Sequence, residues 1–284
     1  MTAAEKYDAL LSRLAELGSV LVAYSGGVDS TLVAFAAHAQ LGENAAAVLA
    51  VSGTYPEGET VMARELAAQL GLRLLEVETD ELADPRFSAN NPDRCYHCKA
   101  ELFGLLRRVA EVQGLAWVAD GSNSDDLADY RPGRRAAAEF DVVSPLAEVG
   151  LTKAEIRELA RELGLPNWDK PSMACLASRF PYFEPITDEG LARVAAAESA
   201  VRELGIEQFR VRAHGTIARI EVAHDELDSA WACRGRIAEA VRDAGFAYAT
   251  LDLEGYRTGS MNEVLRDPDP DLPPPPEDSA VNDL

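Results

Sequence analysis

Val20-Leu21-Val22-Ala23-Tyr24-Ser25-Gly26-Gly27-Val28-Asp29-Ser30 is the stretch whose reading decides the fold. Its first five residues form a short continuous apolar run, the pattern of a strand buried on both faces. Two glycines then permit a tight turn and a close backbone approach to a ligand. A helical pattern over about 31–41 follows. A strand that turns through glycines into a helix leaves unpaired amides at the helix start, aimed at an anion and assisted by the helix dipole. The loop has no lysine, so it is not a Walker A sequence. Asp29 and Ser30 have the chemistry to hold a metal and a phosphate oxygen.

Working outward, Tyr7, Leu10, Leu11, Leu14 and Leu17 recur at helical spacing ahead of this strand, and Gly18 supplies a stop. Downstream, apolar runs at 46–51, 72–77, 115–119 and 142–143 read as strands. Helices are expected over 57–70, over 95–113 and from Thr152-Lys153-Ala154-Glu155, which has capping-box chemistry. Strands alternating with helices predict an α/β fold, a doubly wound parallel sheet covered on both faces. The order changes after Pro185: a helix over 188–204, strands at 209–212 and 217–222, a helix over 225–245 and a strand at 248–253. That is a smaller C-terminal α+β domain, expected to bind substrate or join subunits. The expected division is 1–183, 184–266 and a tail at 267–284, where six prolines and six acids occur without a base. Such a tail cannot bury enough to offset its ordering entropy and is expected to be disordered.

With 284 residues, of which 47% are hydrophobic, the chain can bury a sizeable core. Its net charge of −21 repels phosphate backbones and anionic membranes, so neither nucleic acid nor membrane is an expected partner. No apolar run reaches the roughly 20 residues of a spanning helix. The opening MTAAEKYDALLSRLAEL has acids within its apolar pattern and no basic start, unlike a secretory signal. Four cysteines in a chain of this length do not make a disulfide scaffold. The expectation is a cytoplasmic enzyme with reduced thiols.

Ser25-Gly26-Gly27-Val28-Asp29-Ser30 resembles the PP-loop of the ATP pyrophosphatases (adenine nucleotide alpha hydrolase-like proteins), which split ATP into AMP and pyrophosphate. The superfamily includes GMP, NAD and argininosuccinate synthetases and tRNA thiolases. The resemblance implies ATP as cofactor, pyrophosphate at residues 25–30, adenine at the end of the second strand near Ser52, and Mg2+ with Asp29 as its candidate ligand.

A second constellation narrows the family. In Lys170-Pro171-Ser172-Met173-Ala174-Cys175-Leu176-Ala177-Ser178-Arg179-Phe180-Pro181-Tyr182, Cys175 precedes Arg179 by four residues. On a helix the two would share a face, and a neighbouring guanidinium raises the thiolate fraction. The bland alternative is a buried cysteine acting as a small hydrophobe. This string resembles the LarE-type sulfur transferases, which act in making the nickel-pincer nucleotide cofactor of lactate racemase. Also matching are Arg94-Cys95-Tyr96-His97-Cys98-Lys99, Asp120-Gly121-Ser122-Asn123 with Asp125, Asp126 and Asp129-Tyr130-Arg131-Pro132-Gly133, and Gly255-Tyr256-Arg257-Thr258-Gly259-Ser260-Met261-Asn262.

The resemblance implies adenylation of a carboxylate of pyridinium-3,5-biscarboxylic acid mononucleotide, then attack by Cys175, which ends as dehydroalanine. It also implies Ser178, Arg179, Arg210 and Arg212, with His214-Gly215, as substrate ligands. Arg210 and Arg212 lie two apart on a strand and share a face, and the alternative for them is surface pairing with Glu207 or Glu221. Cys95 and Cys98 read as structural. An iron–sulfur cluster shared with Cys175 stays as the disfavoured alternative, and Cys233 reads as core within a helix. Self-association is expected. The competing functions are a tRNA thiolase, opposed by the charge, and an ammonia-dependent synthetase, which would not need Cys175.

Overall fold

The apolar run Val20–Tyr24 is the central strand β1 of a five-stranded sheet in the computed structural model, which describes residues 1–127, 133–171, 174–257 and 260. The chain forms two units, one of Met1–Ser88 with Pro92–Cys175 and one of Ala89–Asn91 with Leu176–Leu284.

In the first unit, β1 lies between β2 (Ala45–Val51) and β4 (Trp117–Ala119), with β3 (Leu74–Glu78) and β5 (Val142–Val143) at the edges. Every pairing is parallel. The helices are α1 (Ala3–Leu17), α2 (Val28–Leu41), α3 (Glu57–Gln69), the short α4 (Pro85–Ser88), α5 (Arg94–Gln113), α6 (Gly133–Glu139), α7 (Pro145–Glu148) and α8 (Lys153–Glu162). Alternation along β1 feeds two cores. Val20, Val22 and Tyr24 pack with Leu10, Leu14, Leu32 and Ile156 on one face. Leu21 packs with Phe103, Leu106 and Val118 on the other. Leu10, Leu14, Leu32 and Ile156 are wholly buried, and burial of each contributes about 1.5–3 kcal/mol. The sheet is therefore doubly wound, as its apolar runs predict.

The chain runs outward from β1 through β2 to β3, then returns to the other side of β1 for β4 and β5. That reversal opens a crevice at the C-terminal ends of β1 and β4, the usual ligand position in such sheets. Residues 25–30 leave β1 at this point. Helix α2 starts at Val28, ahead of the expected 31, because Gly27 is extended (φ −78°, ψ 156°) and serves as its cap. Asp29 and Ser30 thus lie in the first helical turn. The predicted capping box opens α8: the Glu155 amide donates to Thr152 Oγ1 at 3.3 Å and the Thr152 amide to Glu155 Oε2 at 2.9 Å.

The second unit holds α9 (Asp188–Glu203), β6 (Phe209–His214), β7 (Ile217–Val222), α10 (Leu227–Ala232), α11 (Arg234–Asp243) and β8 (Tyr248–Leu251). β6 and β7 form an antiparallel hairpin, and β8 adds in parallel to β7. The expected single helix over 225–245 is instead two. Cys233 leaves helical dihedrals (φ −99°, ψ 13°) beside the weak helix former Gly235. Half-buried Cys233 sits at that break rather than in a helical core. Asn90 joins this unit by donating from Nδ2 to the carbonyls of Pro181 (2.6 Å) and Glu184 (2.9 Å).

Of the sequence motifs, residues 129–132, Ser172, Met173, Thr258, Gly259, Met261 and Asn262 lie outside the described residues, as does the 267–284 segment. Among the described residues no helix is long and apolar enough to cross a membrane.

Candidate active site

The loop after β1 is held by its own hydroxyls and by two close approaches. Gly26 has φ +71°, and a Cβ there would lie 2.8 Å from Ala63 Cβ, so the position requires glycine. Ser30 Oγ donates to the Gly27 carbonyl (3.1 Å) and accepts from the Ser25 amide (3.2 Å). Val28 is 2% exposed; its side chain belongs to the core, leaving only its backbone for the loop. Two further positions, one of them in the Asp120-Gly121-Ser122-Asn123 motif, shape the same loop. Asn167 Nδ2 donates to the Gly26 carbonyl (3.1 Å) and Thr31 Oγ1 (3.0 Å). A Cβ on Gly121 would meet the Ser30 amide nitrogen at 2.8 Å, which brings the end of β4 against the loop.

A cleft of about 380 Å³ opens here. Ser25, Gly27, Asp29 and Ser30 line one part of it, and Val48, Leu49, Leu102, Phe103 and Leu106 supply apolar wall. Amides beside an apolar slot suit a nucleotide, with phosphates on the helix start and base against the wall. Ser52 Oγ contacts Thr54 Oγ1 (2.7 Å) and accepts from the Thr54 amide (3.1 Å), closing the turn that delivers Tyr55 to the cleft.

Carboxylates dominate the charged lining: Asp29, Glu59, Glu81, Asp120 and Asp126 against Lys99 and Arg134. Asp120 accepts from the hydroxyls of Ser122 and Ser144, each at 2.7 Å. Asp29 Oδ2 pairs with Lys153 Nζ at 2.5 Å. The sequence marked Lys153 only as a helix opener, and nothing local reveals this partnership across 124 positions. Asp29 Oδ1 is buried without a hydrogen-bond partner among the described residues. Burial raises the Asp29 pKa, with Lys153 opposing.

Cys98 lines the cleft. Burial pushes its thiol up to about 12, with Cys175, Glu81 and Cys95 acting in the same direction and Lys99 against it. Tyr55 keeps 36% of its surface exposed yet has dense surroundings. Desolvation first, then Cys175, Cys98, Glu81 and Cys95, hold its phenol well above the ordinary value. Three cysteines therefore act on one tyrosine in the same direction. Among the described residues, no three His, Cys, Asp or Glu side chains are grouped to hold a metal ion. Half-buried Cys175 precedes a single 3₁₀ turn, Leu176–Arg179, so the helical offset to Arg179 considered from sequence does not apply.

In the second unit Arg179 is wholly buried. Its Nε and Nη2 donate to the two carboxylate oxygens of Glu198 at 2.8 and 3.0 Å, and Nη1 donates to Ser178 Oγ at 2.9 Å. Arg212 donates from Nε and Nη2 to Glu221 Oε2 (3.0 and 2.8 Å) and from Nη1 to the Ser178 carbonyl (2.7 Å). Arg210, opposite Glu221 in the β-ladder, lies 5.0 Å from the centroid of the Tyr256 ring. Arg210 and Arg212 are each 6% exposed, so neither is a surface charge. His214 follows on the same strand face; burial lowers its pKa, helped by Arg219. Glu198 carried no signal in sequence, since it reaches Arg179 from another segment; Glu221 was considered only as a surface partner, and Tyr256 stood in a matching motif without a role.

Residues 7–103 match the family model described as asparagine synthase. An uncharacterized protein of Synechocystis sp. is 46% identical over 92% of this chain and 98% of its own length. The pyridinium-3,5-bisthiocarboxylic acid mononucleotide synthase of Lactiplantibacillus plantarum is 40% identical over 93% of this chain and 96% of its own. A glutamine-hydrolyzing GMP synthase subunit of Archaeoglobus fulgidus is 31% identical, over 52% of each chain. The A. fulgidus likeness covers half the chain, whereas the likeness to the synthase from L. plantarum runs through both units. On that full-length match the chain belongs to the LarE-type sulfur transferases, the family of the L. plantarum synthase.

Proposed function

We propose that this chain converts a carboxylate of pyridinium-3,5-biscarboxylic acid mononucleotide to a thiocarboxylate, using ATP and the sulfur of its own Cys175. The observation that carries this reading is the 40% identity to the L. plantarum synthase over 96% of that protein. ATP occupies the cleft of the first unit, with its phosphates on the amides of residues 25–30 and adenine on the apolar wall beyond β2 and Ser52. A carboxylate oxygen of the mononucleotide attacks the α-phosphorus and pyrophosphate leaves, giving an acyl-AMP. The first-turn amides of α2 face charge that grows on the departing phosphate. A Mg2+ ion bound with ATP would be held by Asp29 through Oδ1, the buried oxygen without a protein partner, and would neutralise phosphate charge. One carboxylate with phosphate oxygens and water is an ordinary Mg2+ shell.

Cys175 then attacks the acyl carbon as a thiolate and AMP departs, leaving a thioester. Removal of the Cys175 α-proton sends the Cβ–S electrons onto sulfur. The thiocarboxylate leaves, and the residue becomes dehydroalanine. The sequence is balanced without oxidant or reductant: the carboxylate oxygen ends on AMP and the sulfur on the product. Arg210 and Arg212 of β6, with Ser178, hold the mononucleotide's phosphate and carboxylates by charge-assisted donation, and Arg179, whose fork is spent on Glu198, holds Ser178 in place. The setting is the cytoplasm, in a self-associated protein.

Intact-protein mass after reaction tests the reading. The expected result is loss of the elements of hydrogen sulfide at Cys175, with one thiocarboxylate formed per chain. Continuing turnover by protein of unchanged mass would assign a synthetase or a recycled sulfur source instead. Cys175→Ala should still release pyrophosphate and accumulate acyl-AMP. Thiolated product from that variant would move the sulfur chemistry to Cys95 and Cys98.

A further inference from the structure

The string that leads to Cys175 opens with Lys170, and the proposed chemistry leaves that residue without a task. Four of the 27 basic residues are lysines: Lys6, Lys99, Lys153 and Lys170. Three of those four stand at the cleft of the first unit. Lys99 lines it. Lys153 pairs with Asp29, and Lys170 Nζ lies 2.8 Å from Glu59 Oε2; both carboxylates are cleft lining. A chain that otherwise uses arginine thus places ammonium groups, compact charges on flexible stems, around one cavity. Lys170 is held there from two sides. Arg157 Nη2 of α8 donates to the Lys170 carbonyl (3.2 Å), and the Lys170 amide donates to the Asn167 carbonyl (3.1 Å). Asn167 in turn donates to the Gly26 carbonyl of the loop. On α3, Glu59 stands one turn ahead of Ala63, the residue that a Gly26 side chain would strike. The ammonium therefore sits on the Gly26 side of the loop, with the paired side chains 20% and 15% accessible.

We propose that Lys170 is a ligand of the β- and γ-phosphates of ATP, kept at the cleft wall by Glu59. The inference rests on the reading above, that ATP binds in this cleft. The loop lacks the lysine of a Walker A sequence, and its amides carry only partial charge. Departing pyrophosphate gathers full negative charge in a cavity whose charged lining is mostly acidic. A cation beside the loop answers that charge as it grows. Lysine suits the place better than arginine would. A guanidinium can fork onto both oxygens of one carboxylate, as Arg179 does on Glu198. An ammonium has three donors and can hold a carboxylate and phosphate oxygens together. Glu59 thus fixes the charge where the phosphates arrive and leaves it able to donate.

The test is calorimetric titration of the full-length protein with ATP and, separately, with AMP, each with Mg2+. Lys170→Met should weaken ATP binding roughly tenfold, the scale of one hydrogen bond to a charged group. It should leave binding of AMP, which has no β- or γ-phosphate, unchanged. Glu59→Gln removes an acid from the cleft and should bind ATP at least as tightly as wild type. The proposal is overturned if Lys170→Met binds ATP like wild type, or if it loses ATP and AMP alike. It is also overturned if Lys170→Met and Glu59→Gln lose ATP equally, since the pair would then serve only the fold. A second measurement uses wild-type protein and holds even should Lys170→Met fail to fold. Acetylation by acetic anhydride, mapped by peptide mass spectrometry over the four lysines, should find Lys170 protected by ATP and not by AMP, with Lys6 indifferent to both. Equal acetylation of Lys170 with and without ATP, in protein that binds ATP, would overturn the proposal and leave the cleft reading standing. Wild-type protein that binds no ATP would fail that reading, and this inference with it.

Discussion

The first unit offers an anion the backbone amides that open α2, in a cleft whose charged lining is mostly carboxylate. The second offers buried guanidiniums: Arg179, in the turn ahead of α9, is tied to Glu198, and Arg212 of β6 to Glu221. Amides on a fixed turn carry partial charge and need no counter-ion, so they survive among acids. Buried guanidiniums carry full charge and demand carboxylates, here Glu198 and Glu221, to be tolerable at all. A protein of net charge −21 can therefore accommodate the two proposed anion-binding arrangements, which its overall charge conceals. The difference also says what damages each: backbone conformation in the first unit, unpaired charge in the second.

The sharpest way to break the comparison is Gly26→Ala. That residue would sit at φ +71° with its Cβ 2.8 Å from Ala63, so the turn must move. Pyrophosphate release should fall to background while the circular dichroism spectrum stays that of a folded protein. Gly27→Ala is the control. Its Cβ would meet only Ser25 Oγ at 3.4 Å, an ordinary contact, so the turn is kept and a smaller loss than in Gly26→Ala is expected, from a methyl set against the ligand. Equal losses in the two variants would show that the loop works through something other than its backbone path.

Next in size is Glu198→Ala in the second unit. Glu198 receives both Arg179 donors and the Val211 amide (3.0 Å). Removing it strands a wholly buried guanidinium, at a cost of about 3–5 kcal/mol. Chemical denaturation should report that loss. A change below about 1 kcal/mol would mean that the pair is solvated and that the contrast with the amide loop is overdrawn.

These two sites were unequally legible in sequence. The loop was readable because strand, glycine turn and helix are contiguous, and each has its own local pattern. Its supports were less so: Lys153 and Asn167 reach it from other crossovers of the sheet, and the Asp120-Gly121-Ser122-Asn123 motif did not show that Gly121 abuts it. The spacing of Arg210 and Arg212 showed a common strand face, but not burial, because alternation alone does not say which face is covered. Glu198 was invisible for the same reason, and Tyr256 was legible only as a member of a matching motif, without its contact to Arg210. The helix expected over 225–245 failed at Cys233, where apolar periodicity continues across a break in the backbone.

A smaller effect probes how dry the cleft is. The Cys98 thiol, raised to about 12 by burial, should stay protonated near neutrality, whereas Cys95 is exposed on the same helix turn. Since the thiolate is the reactive species, iodoacetamide at pH 7.5 should modify Cys95 and spare Cys98, as mapped by peptide mass spectrometry. Labelling of Cys98 should climb steadily with pH and show no plateau below about 12. Rapid labelling at neutral pH would mean that water reaches the cleft wall freely.

The smallest expected effect concerns a glutamate of the first unit, set against Glu198 of the second. Glu155 accepts Lys6 Nζ at 2.7 Å and the Thr152 amide at 2.9 Å, and these, led by Lys6, lower its pKa to about 2. Its pair is partly exposed, with side chains 16% and 23% accessible, so solvent and salt screen it where they cannot screen Glu198. A depressed carboxylate pKa stabilises the fold above the unfolded value of 4.5, and that contribution is lost as pH falls towards about 2. Glu155→Gln should therefore melt below wild type at pH 7, by the equivalent of about 0.5–1 kcal/mol, the ordinary worth of an exposed pair with a helix cap. The gap should narrow below pH 4.5, close near pH 2, and shrink in molar salt at pH 7. A loss as large as that of Glu198→Ala, or one indifferent to salt, would show that this pair is as desolvated as the buried one, and the division between backbone-built and charge-built units would not hold.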